Sequence, residues 1–420
     1  MCGFLFSNKI PNQPQLVDIT PRGPDSNNTV VNHLGYFYHS RLITKESAVS
    51  QPASNSFGTL LYNGTEYVLR DNDVGFILDN ISRTIPDSIE FIKKLYGDFS
   101  ICWVTDDYIL LARDCFGTKP LYYGVVDDYF AASSSEYAIK CLGLNPLRAE
   151  QNTLYIFNRK TLKLTHRTKI VDWDIRQGLT TIDDVHATFE GAVLERYRDG
   201  CLVPLSSGYD SGAIAACLLN IGVNFVVASY LGTENLEIIK DRFILHANKK
   251  GLFTQNNYEK KLSEIDKFSC SYYLEADTSI ASVAMLTAEH ANKNNINTIL
   301  TGTGCDELYA DYGCNGLKIR YFSQFGGKFP EDLTLVFPWH DNKSYPLFSN
   351  LPIVDYINGM HGIDSRHPFL DRLLFQTWLT SDVRVKNDSY KHWVAEYMKI
   401  YNYPYQENEK IGVNNLPLIF

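Results

Sequence analysis

The chain has 420 residues, 45% of them hydrophobic and 21% charged, with a formal net charge of −9. At roughly 100–200 residues per domain this length holds two or three domains, and the composition excludes disorder as the main state. The acidic balance, with no basic run longer than pairs such as Lys249-Lys250 and Lys260-Lys261, argues against nucleic acid as the main partner. Nine cysteines at irregular spacing, none in a Cys-x-x-Cys pair, fit a reducing compartment, and a cytoplasmic location is expected. No apolar run approaches the ~20 residues of a membrane span, and the first residues lack a signal-peptide layout.

In chain order, 36–43, 59–69, 99–105, 108–112 and 129–132 are rich in β-formers and bounded by turn residues. Between them, 73–81 and 86–96 have helical apolar spacing, the second with Pro86 at its opening. Strands and helices mixed in this way predict a sheet-layered α+β domain over 1–150. Residues 141–180 read as a polar connection holding a hairpin-like stretch, 153–170. Beyond it the pattern alternates. Helices are expected at 181–197, 211–219, 236–247 and 280–291, and strands at 201–205, 225–231 and 298–300, which predicts a parallel sheet covered by helices over 180–420. Residues 313–360 give no firm assignment.

Met1-Cys2-Gly3 opens the chain. Removing Met ahead of a small residue leaves Cys2 with a free α-amine of pKa ~7.7–8.0, able to act as base for its own thiol. Asn63-Gly64 lies between strand-like runs. It reads either as a tight turn or as a side-chain amide and a backbone N–H converging on an oxyanion. Arg41 could hold a carboxylate bidentately or form a surface ion pair. Asp73, at a helix start, could hold an ammonium group or cap the helix.

In order along the chain stand Met1-Cys2-Gly3, Arg22-Gly23-Pro24-Asp25, His39-Ser40-Arg41-Leu42, Asn63-Gly64, Arg113-Asp114-x-x-Gly117-x-x-Pro120-Leu121-Tyr122-Tyr123 and Ser134-Ser135-Glu136. This set resembles the class II glutamine amidotransferase domain of glutamine-hydrolysing asparagine synthetase. The resemblance implies an N-terminal nucleophile (Ntn) hydrolase sandwich in which Cys2 attacks the glutamine amide and Asn63 and Gly64 form the oxyanion hole. It further implies that Arg41 binds the glutamine α-carboxylate and Asp73 its α-amino group. The family usually has Glu after Asn-Gly; here it is Thr65.

Pro204-Leu205-Ser206-Ser207-Gly208-Tyr209-Asp210-Ser211 sits at a predicted strand-to-helix junction. Small residues there let backbone N–H groups face a phosphate at a helix N-terminus, and Asp210 could hold Mg²⁺ with phosphate oxygens. The stretch resembles the PP-loop of ATP pyrophosphatases, Ser-Gly-Gly-x-Asp-Ser, with Ser207 in place of the first Gly. Thr301-Gly302-Thr303-Gly304-Cys305-Asp306-Glu307 resembles the asparagine synthetase family's Ser-Gly-Glu-Gly-Ser-Asp-Glu. This implies that Asp306 is the second Mg²⁺ ligand and that Thr301 and Gly302 line the ATP site with Leu205, Ser206, Ser207, Gly208 and Ser211. Asp364-Ser365-Arg366-His367-Pro368-Phe369-Leu370-Asp371 resembles the family's Glu-Ala-Arg-x-Pro-Phe-Leu-Asp, and Lys391 falls where the family has a catalytic lysine.

The expected architecture is an α+β Ntn sandwich followed by an α/β parallel-sheet PP-loop domain. The expected activity is glutamine- and ATP-dependent amidation of a carboxylate through an acyl-adenylate, with aspartate as acceptor by resemblance and AMP and pyrophosphate as co-products. ATP and Mg²⁺ are required, and a homodimer and an internal ammonia tunnel are implied. Thr303 stands where the family has an acid, and Thr cannot replace a carboxylate as base or cation partner. Either another acid serves, with Glu275 and Asp277 as candidates, or the acceptor is a sugar acid, a peptide or another carboxylate. A non-catalytic nucleotide-binding regulator of this fold is the reading from a different class. The retained Cys2, Asp210 and Asp306 speak against it.

Overall fold

The structure, a computed structural model, describes residues 1–12, 14, 16–43, 49–68, 72–230, 234–250, 254–256, 278–310, 328–339 and 351–407. Glu275, Asp277 and much of 313–360 lie outside the described residues. The chain divides into two compact units. One is Met1–Asp172 with Asp355–Asp364; the other is Trp173–Val354 with Ser365–Phe420.

The first unit is built on two six-stranded antiparallel sheets. One runs in the order Leu147–Arg148, Tyr122–Val126, Tyr129–Ser133, Gly3–Ser7, Gly35–Arg41, Ser26–Asn32. The other runs Leu164–Lys169, Thr153–Asn158, Tyr108–Arg113, Gly97–Thr105, Gly58–Glu66, Ala53–Ser54. Phe4, Phe6, Phe37 and Phe130 of the first sheet share one buried cluster with Leu61, Cys102, Val104, Ile109 and Leu111 of the second. The two sheets therefore pack face to face as a sandwich. Each fully buried Phe or Leu contributes roughly 1.5–3 kcal/mol, so this layer holds the sandwich together.

Strand Gly3–Ser7 is buried at every position because it lies between Gly35–Arg41 and Tyr129–Ser133. Its Gly-Phe-Leu-Phe-Ser run lacks the alternation that marks a half-exposed strand. Cys2 thus enters directly onto an inner strand, held on both sides. The hairpin-like stretch is a true hairpin, Thr153–Asn158 with Leu164–Lys169, and its first strand extends the second sheet by pairing with Tyr108–Arg113. Leu154 and Ile156, fully buried there, draw what reads as a connection into the sandwich.

The second unit contains a five-stranded sheet in the order Thr254–Asn256, Phe225–Tyr230, Cys201–Pro204, Thr298–Leu300, Asp364–Arg366. Cys201–Pro204 pairs in parallel with both neighbours. Helices Ile182–Arg196, Tyr209–Ile221, Leu236–Lys250 and Thr278–Lys293 alternate with the strands. The first of these starts in a capping box, Thr181 with Asp184. From Cys201–Pro204 the chain first builds outward on one side, then crosses to the other. The order therefore reverses between Cys201–Pro204 and Thr298–Leu300. Crevices at the carboxyl ends of strands at such a reversal are where open α/β sheets bind ligands. Here they are formed by the segments 205–208 and 301–304.

Candidate functional site

The first group of residues surrounds Cys2. The Cys2 N–H donates to Asn63 Oδ1 at 3.0 Å. Asn63 is fully buried, and its Nδ2 has no hydrogen-bond partner. A buried donor without a partner costs about 1–3 kcal/mol, so it marks a place where another acceptor belongs. Asn63-Gly64 is no hairpin turn. Both residues lie inside Gly58–Glu66, opposite Ser100 and Phe99.

The register also fixes where the Gly64 N–H points. The Tyr62 N–H donates to Gln51 Oε1 at 2.7 Å, and the Tyr62 carbonyl accepts from Gln51 Nε2 and His39 Nε2, each at 3.1 Å. Tyr62 therefore turns its main-chain groups away from Gly97–Thr105. In an antiparallel strand, groups two residues apart face the same way. Gly64 thus presents its N–H to the outer edge, beyond Ala53–Ser54, which pairs only with Leu60 and Thr59. A side chain at Gly64 is excluded, since a Cβ would stand 2.2 Å from the Asp98 carbonyl oxygen.

Burial pushes the Cys2 thiol up, aided by the Asp364 and Asp73 carboxylates, while the N-terminal amine and the Leu42 N–H oppose the shift. At neutral pH the thiol is protonated, and attack needs a base beside it. Met1 is buried, and burial lowers its amine to about 6. Arg41 ends strand Gly35–Arg41, next to Leu42. Asn72, not Asp73, caps the following helix, accepting from the Gly75 N–H at 2.9 Å. Asp73 is left at the first helical position, largely buried and close enough to act electrostatically on Cys2.

Several motif residues without a sequence-derived role prove to shape this centre. Arg22 Nε donates to the Cys2 carbonyl at 3.1 Å, and its Nη2 bonds Asp355 Oδ2 at 2.7 Å. Arg113 holds the carbonyls of Gly117, Lys119 and Ala149. The Asp114 carboxylate accepts from the N–H groups of Phe99, Phe116 and Thr118. This Arg113–Pro120 turn delivers Lys119 to a buried ion pair with Asp364 at 3.2 Å.

The second group lies at the strand-order reversal. Lys391 Nζ bonds Asp210 Oδ1 and also Asp306 Oδ1, the latter at 2.9 Å, and the Tyr390 hydroxyl donates to Asp306 Oδ1 at 2.8 Å. Burial alone would lower the Lys391 ammonium. The two carboxylates outweigh it and hold the group well above the ordinary lysine value. Lys391 has φ +48°, a left-handed conformation uncommon for a residue with a side chain. Gly302 permits the close approach, since a Cβ there would stand 2.6 Å from Asp210 Cβ. Thr301 Oγ1 donates to Thr303 Oγ1 at 2.9 Å and bonds His367 Nδ1 at 2.6 Å.

The segment 205–208 differs from the expected phosphate cradle. The Ser206 N–H donates to Ser211 Oγ at 2.9 Å, the Gly208 N–H to Ser206 Oγ at 3.1 Å, and the Ser207 N–H to Glu234 Oε2 at 2.5 Å. The Ser207 hydroxyl bonds the same Glu234 oxygen. Leu205 continues the sheet, its N–H donating to the Ala228 carbonyl at 2.8 Å. Buried Arg242 donates to the carbonyls of Ser206 and Gly208. The N–H groups of Ser206, Ser207 and Gly208 thus have acceptors inside the protein, that of Ser207 being a carboxylate.

The donor set at Asp210 and Asp306 fits Mg²⁺. Both carboxylates reach one nitrogen, so both can reach one small cation, and Mg²⁺ takes one or two carboxylates with substrate oxygens completing its shell. Among the described residues no group of three or more His, Cys, Asp and Glu side chains forms a self-sufficient metal site. No described helix is long and apolar enough to cross a membrane.

Residues 44–141 match the glutamine amidotransferase domain family. The matched stretch lies within the first unit, the antiparallel sandwich that Cys2 enters. Along a longer stretch the chain is 25% identical, over 387 residues covering 83% of it and 69% of the relative, to a protein assigned as asparagine synthetase (glutamine-hydrolysing) 1 of Methanocaldococcus jannaschii. It is 31% identical over 162 residues, 31% of this chain and 26% of the relative, to asparagine synthetase (glutamine-hydrolysing) 1 of Bacillus subtilis. Among solved structures, a B. subtilis glutamine phosphoribosylpyrophosphate amidotransferase complexed with ADP and GMP matches 72% of this chain and 81% of its own, at 13% identity and a TM-score of 0.35. Both sequence likenesses are to proteins of the kind that the motifs resemble, glutamine-hydrolysing asparagine synthetases.

Proposed function

We propose that the chain is a glutamine- and ATP-dependent amide ligase. The observation that carries the reading is the unpartnered Nδ2 of Asn63 on the side chain that already holds the Cys2 N–H. With Met1 removed, the Cys2 nitrogen becomes an amine able to take the proton from its own thiol. The sulfur attacks the glutamine side-chain amide. The oxyanion is met by Asn63 Nδ2 and the Gly64 N–H, ammonia leaves with the proton from the amine, and water releases glutamate from the thioester. Arg41 takes the glutamine α-carboxylate and Asp73 its ammonium.

In the second unit, Ser206, Ser207, Gly208 and Ser211, with Leu205, Thr301 and Gly302, form the ATP site once Glu234 yields its place. Asp210 and Asp306 hold Mg²⁺. When bound, Mg²⁺ neutralises charge on the departing pyrophosphate. Lys391, released from the two carboxylates, places its ammonium on the phosphates. The acceptor carboxylate is adenylated, and ammonia displaces AMP to give the amide. Aspartate is the acceptor in the first reading.

One observation favours a different acceptor with the same chemistry. At position 303 there is a hydroxyl bonded to Thr301 in place of a carboxylate. Pyrophosphate release measured with glutamine over a panel of carboxylates separates the two readings, since activity with aspartate alone removes the second. Cys2→Ala tests the whole scheme. It abolishes glutamine hydrolysis yet leaves ammonia-supported ATP cleavage. Loss of neither activity, or absence of both in the unmodified protein, refutes the proposal.

A further inference from the structure

We propose that Arg22 and Asp355 act as a positioning pair for Cys2, which makes residues 355–364 part of the glutaminase centre; the inference rests on the glutaminase reading above. Cys2 is gripped by its main chain from two directions. Its N–H is held by Asn63 Oδ1 at 3.0 Å and its carbonyl by Arg22 Nε at 3.1 Å. With both flanking peptide groups fixed, rotation about χ1 is the chief freedom left to the sulfur. Asn63 is anchored in a sheet. Arg22 is not: it belongs to the short turn Thr20–Arg22, and its side chain takes its direction from what holds its far end.

That far end is held by Asp355. Arg22 Nη2 bonds Asp355 Oδ2 at 2.7 Å, with side-chain exposures of 2% and 3%. The other Asp355 oxygen, Oδ1, has no hydrogen-bond partner, so the carboxylate's hydrogen bonding is directed at Arg22, while the Lys119 ammonium feels its charge. The segment that carries Asp355 packs closely on the guanidinium. A Cβ at Gly359 would stand 2.8 Å from Arg22 Nη1, and one at Gly362 would stand 2.8 Å from Pro24 Cγ. Gly359 and Gly362 thus bring the 355–364 segment onto the Arg22-Gly23-Pro24 turn. Gly23 in turn lies against Arg41, where a Cβ would meet the Arg41 nitrogen at 2.1 Å.

A buried ion pair is a poor stabiliser compared with apolar side chains of equal volume. What an apolar pair cannot supply is a directed N–H on the Cys2 carbonyl together with a fixed anchor behind it. The planar fork of Arg provides both, whereas a Lys ammonium offers only one point of charge. Misplacing a reacting group by about 1 Å lowers turnover by roughly 10²-fold. Asn at 355 keeps the shape but removes the charge that aims the fork. Lys at 22 keeps an ion pair but loses the donor on Cys2.

The test uses the full chain. Glutamine hydrolysis is followed for the unmodified protein, Arg22→Lys, Asp355→Asn and Cys2→Ala, together with thermal unfolding and the rate at which a glutamine-shaped diazoketone alkylates Cys2. Both positioning variants are expected to lose 10- to 100-fold in kcat with KM within about twofold. Cys2 alkylation should slow in parallel but still go to completion, which a loss of folded protein would not allow. If Asp355→Asn does not fold, Arg22→Lys decides alone. The inference is overturned if kcat stays within about twofold, or falls only as the alkylatable fraction falls. If Cys2→Ala still hydrolyses glutamine, the glutaminase reading itself fails and takes this inference with it.

Discussion

Replacing Asn63 by Ala separates what its two polar atoms do. Oδ1 accepts from the Cys2 N–H at 3.0 Å in a fully buried setting. Losing that acceptor leaves a buried donor unpaired and lowers stability by about 1–3 kcal/mol. For a unit of this size the melting temperature then falls by roughly 2–4 °C per kcal/mol, and the protein stays folded at 25 °C. Nδ2 has no partner in the resting protein, so its deletion relieves an unpaired donor and offsets part of that loss. Its favourable contribution falls on the transition state. Removing one oxyanion-hole donor lowers turnover by about 10²–10³, or ~2.7–4 kcal/mol. The expected signature of Asn63→Ala is thus a small shift in unfolding with a large fall in glutaminase kcat and little change in KM. The assay is glutamate release at saturating glutamine beside a thermal melt. A kcat within tenfold of the unmodified protein, in a variant that melts normally, refutes the oxyanion assignment.

Lys391→Met leaves Asp210 and Asp306 without their shared cation; the variant is expected to melt lower than the parent and to regain stability on adding Mg²⁺ or Mn²⁺, and a melt indifferent to divalent cation counts against the two-carboxylate site. Glu234→Gln removes the charged occupant from Ser207, so titration calorimetry should show nucleotide binding tightened about tenfold; equal or weaker binding would make Glu234 a structural prop. His39 is fully buried, and burial lowers it from 6.5 to about 4. The unfolded chain therefore binds more protons than the native one between those values. Its contribution is complete above pH ~6.5 and is lost as pH falls towards 4, by roughly 3 kcal/mol in all. Chemical denaturation across that window should show a flatter profile for His39→Gln, and an unchanged slope would show that other groups carry the acid sensitivity.

The sequence makes some of this arrangement legible and hides the rest for identifiable reasons. The junction between Cys201–Pro204 and Tyr209–Ile221 is readable because an apolar run, a Ser/Gly string and a helical pattern follow one another. Strands such as Gly97–Thr105 announce themselves by β-branched and aromatic content. Gly3–Ser7 does not, since a five-residue strand buried on both faces has no period to detect. Asn63-Gly64 carries the sequence signal of a turn and adopts a strand, because Gly97–Thr105 pairs with it along its whole length. The Ser-rich segment shows in sequence which donors exist. That Glu234 claims one of them depends on a residue 27 positions away. Least readable is Asp355. Its partner stands 333 residues earlier, and no local pattern links two isolated charges over that distance.

The discontinuity of the first unit bears on how the protein is made. Domains emerge from the ribosome in order, and the earlier ones ordinarily fold while the rest is synthesised. Here the strands of the sandwich are complete by Lys169, yet the unit still lacks Asp355–Asp364. A nascent chain paused between those points has its sheets and its cysteine but lacks the Asp355 and Asp364 carboxylates that pair with Arg22 and Lys119. The first unit is thus completed only after segment 205–208 and most of the second unit's sheet have been synthesised.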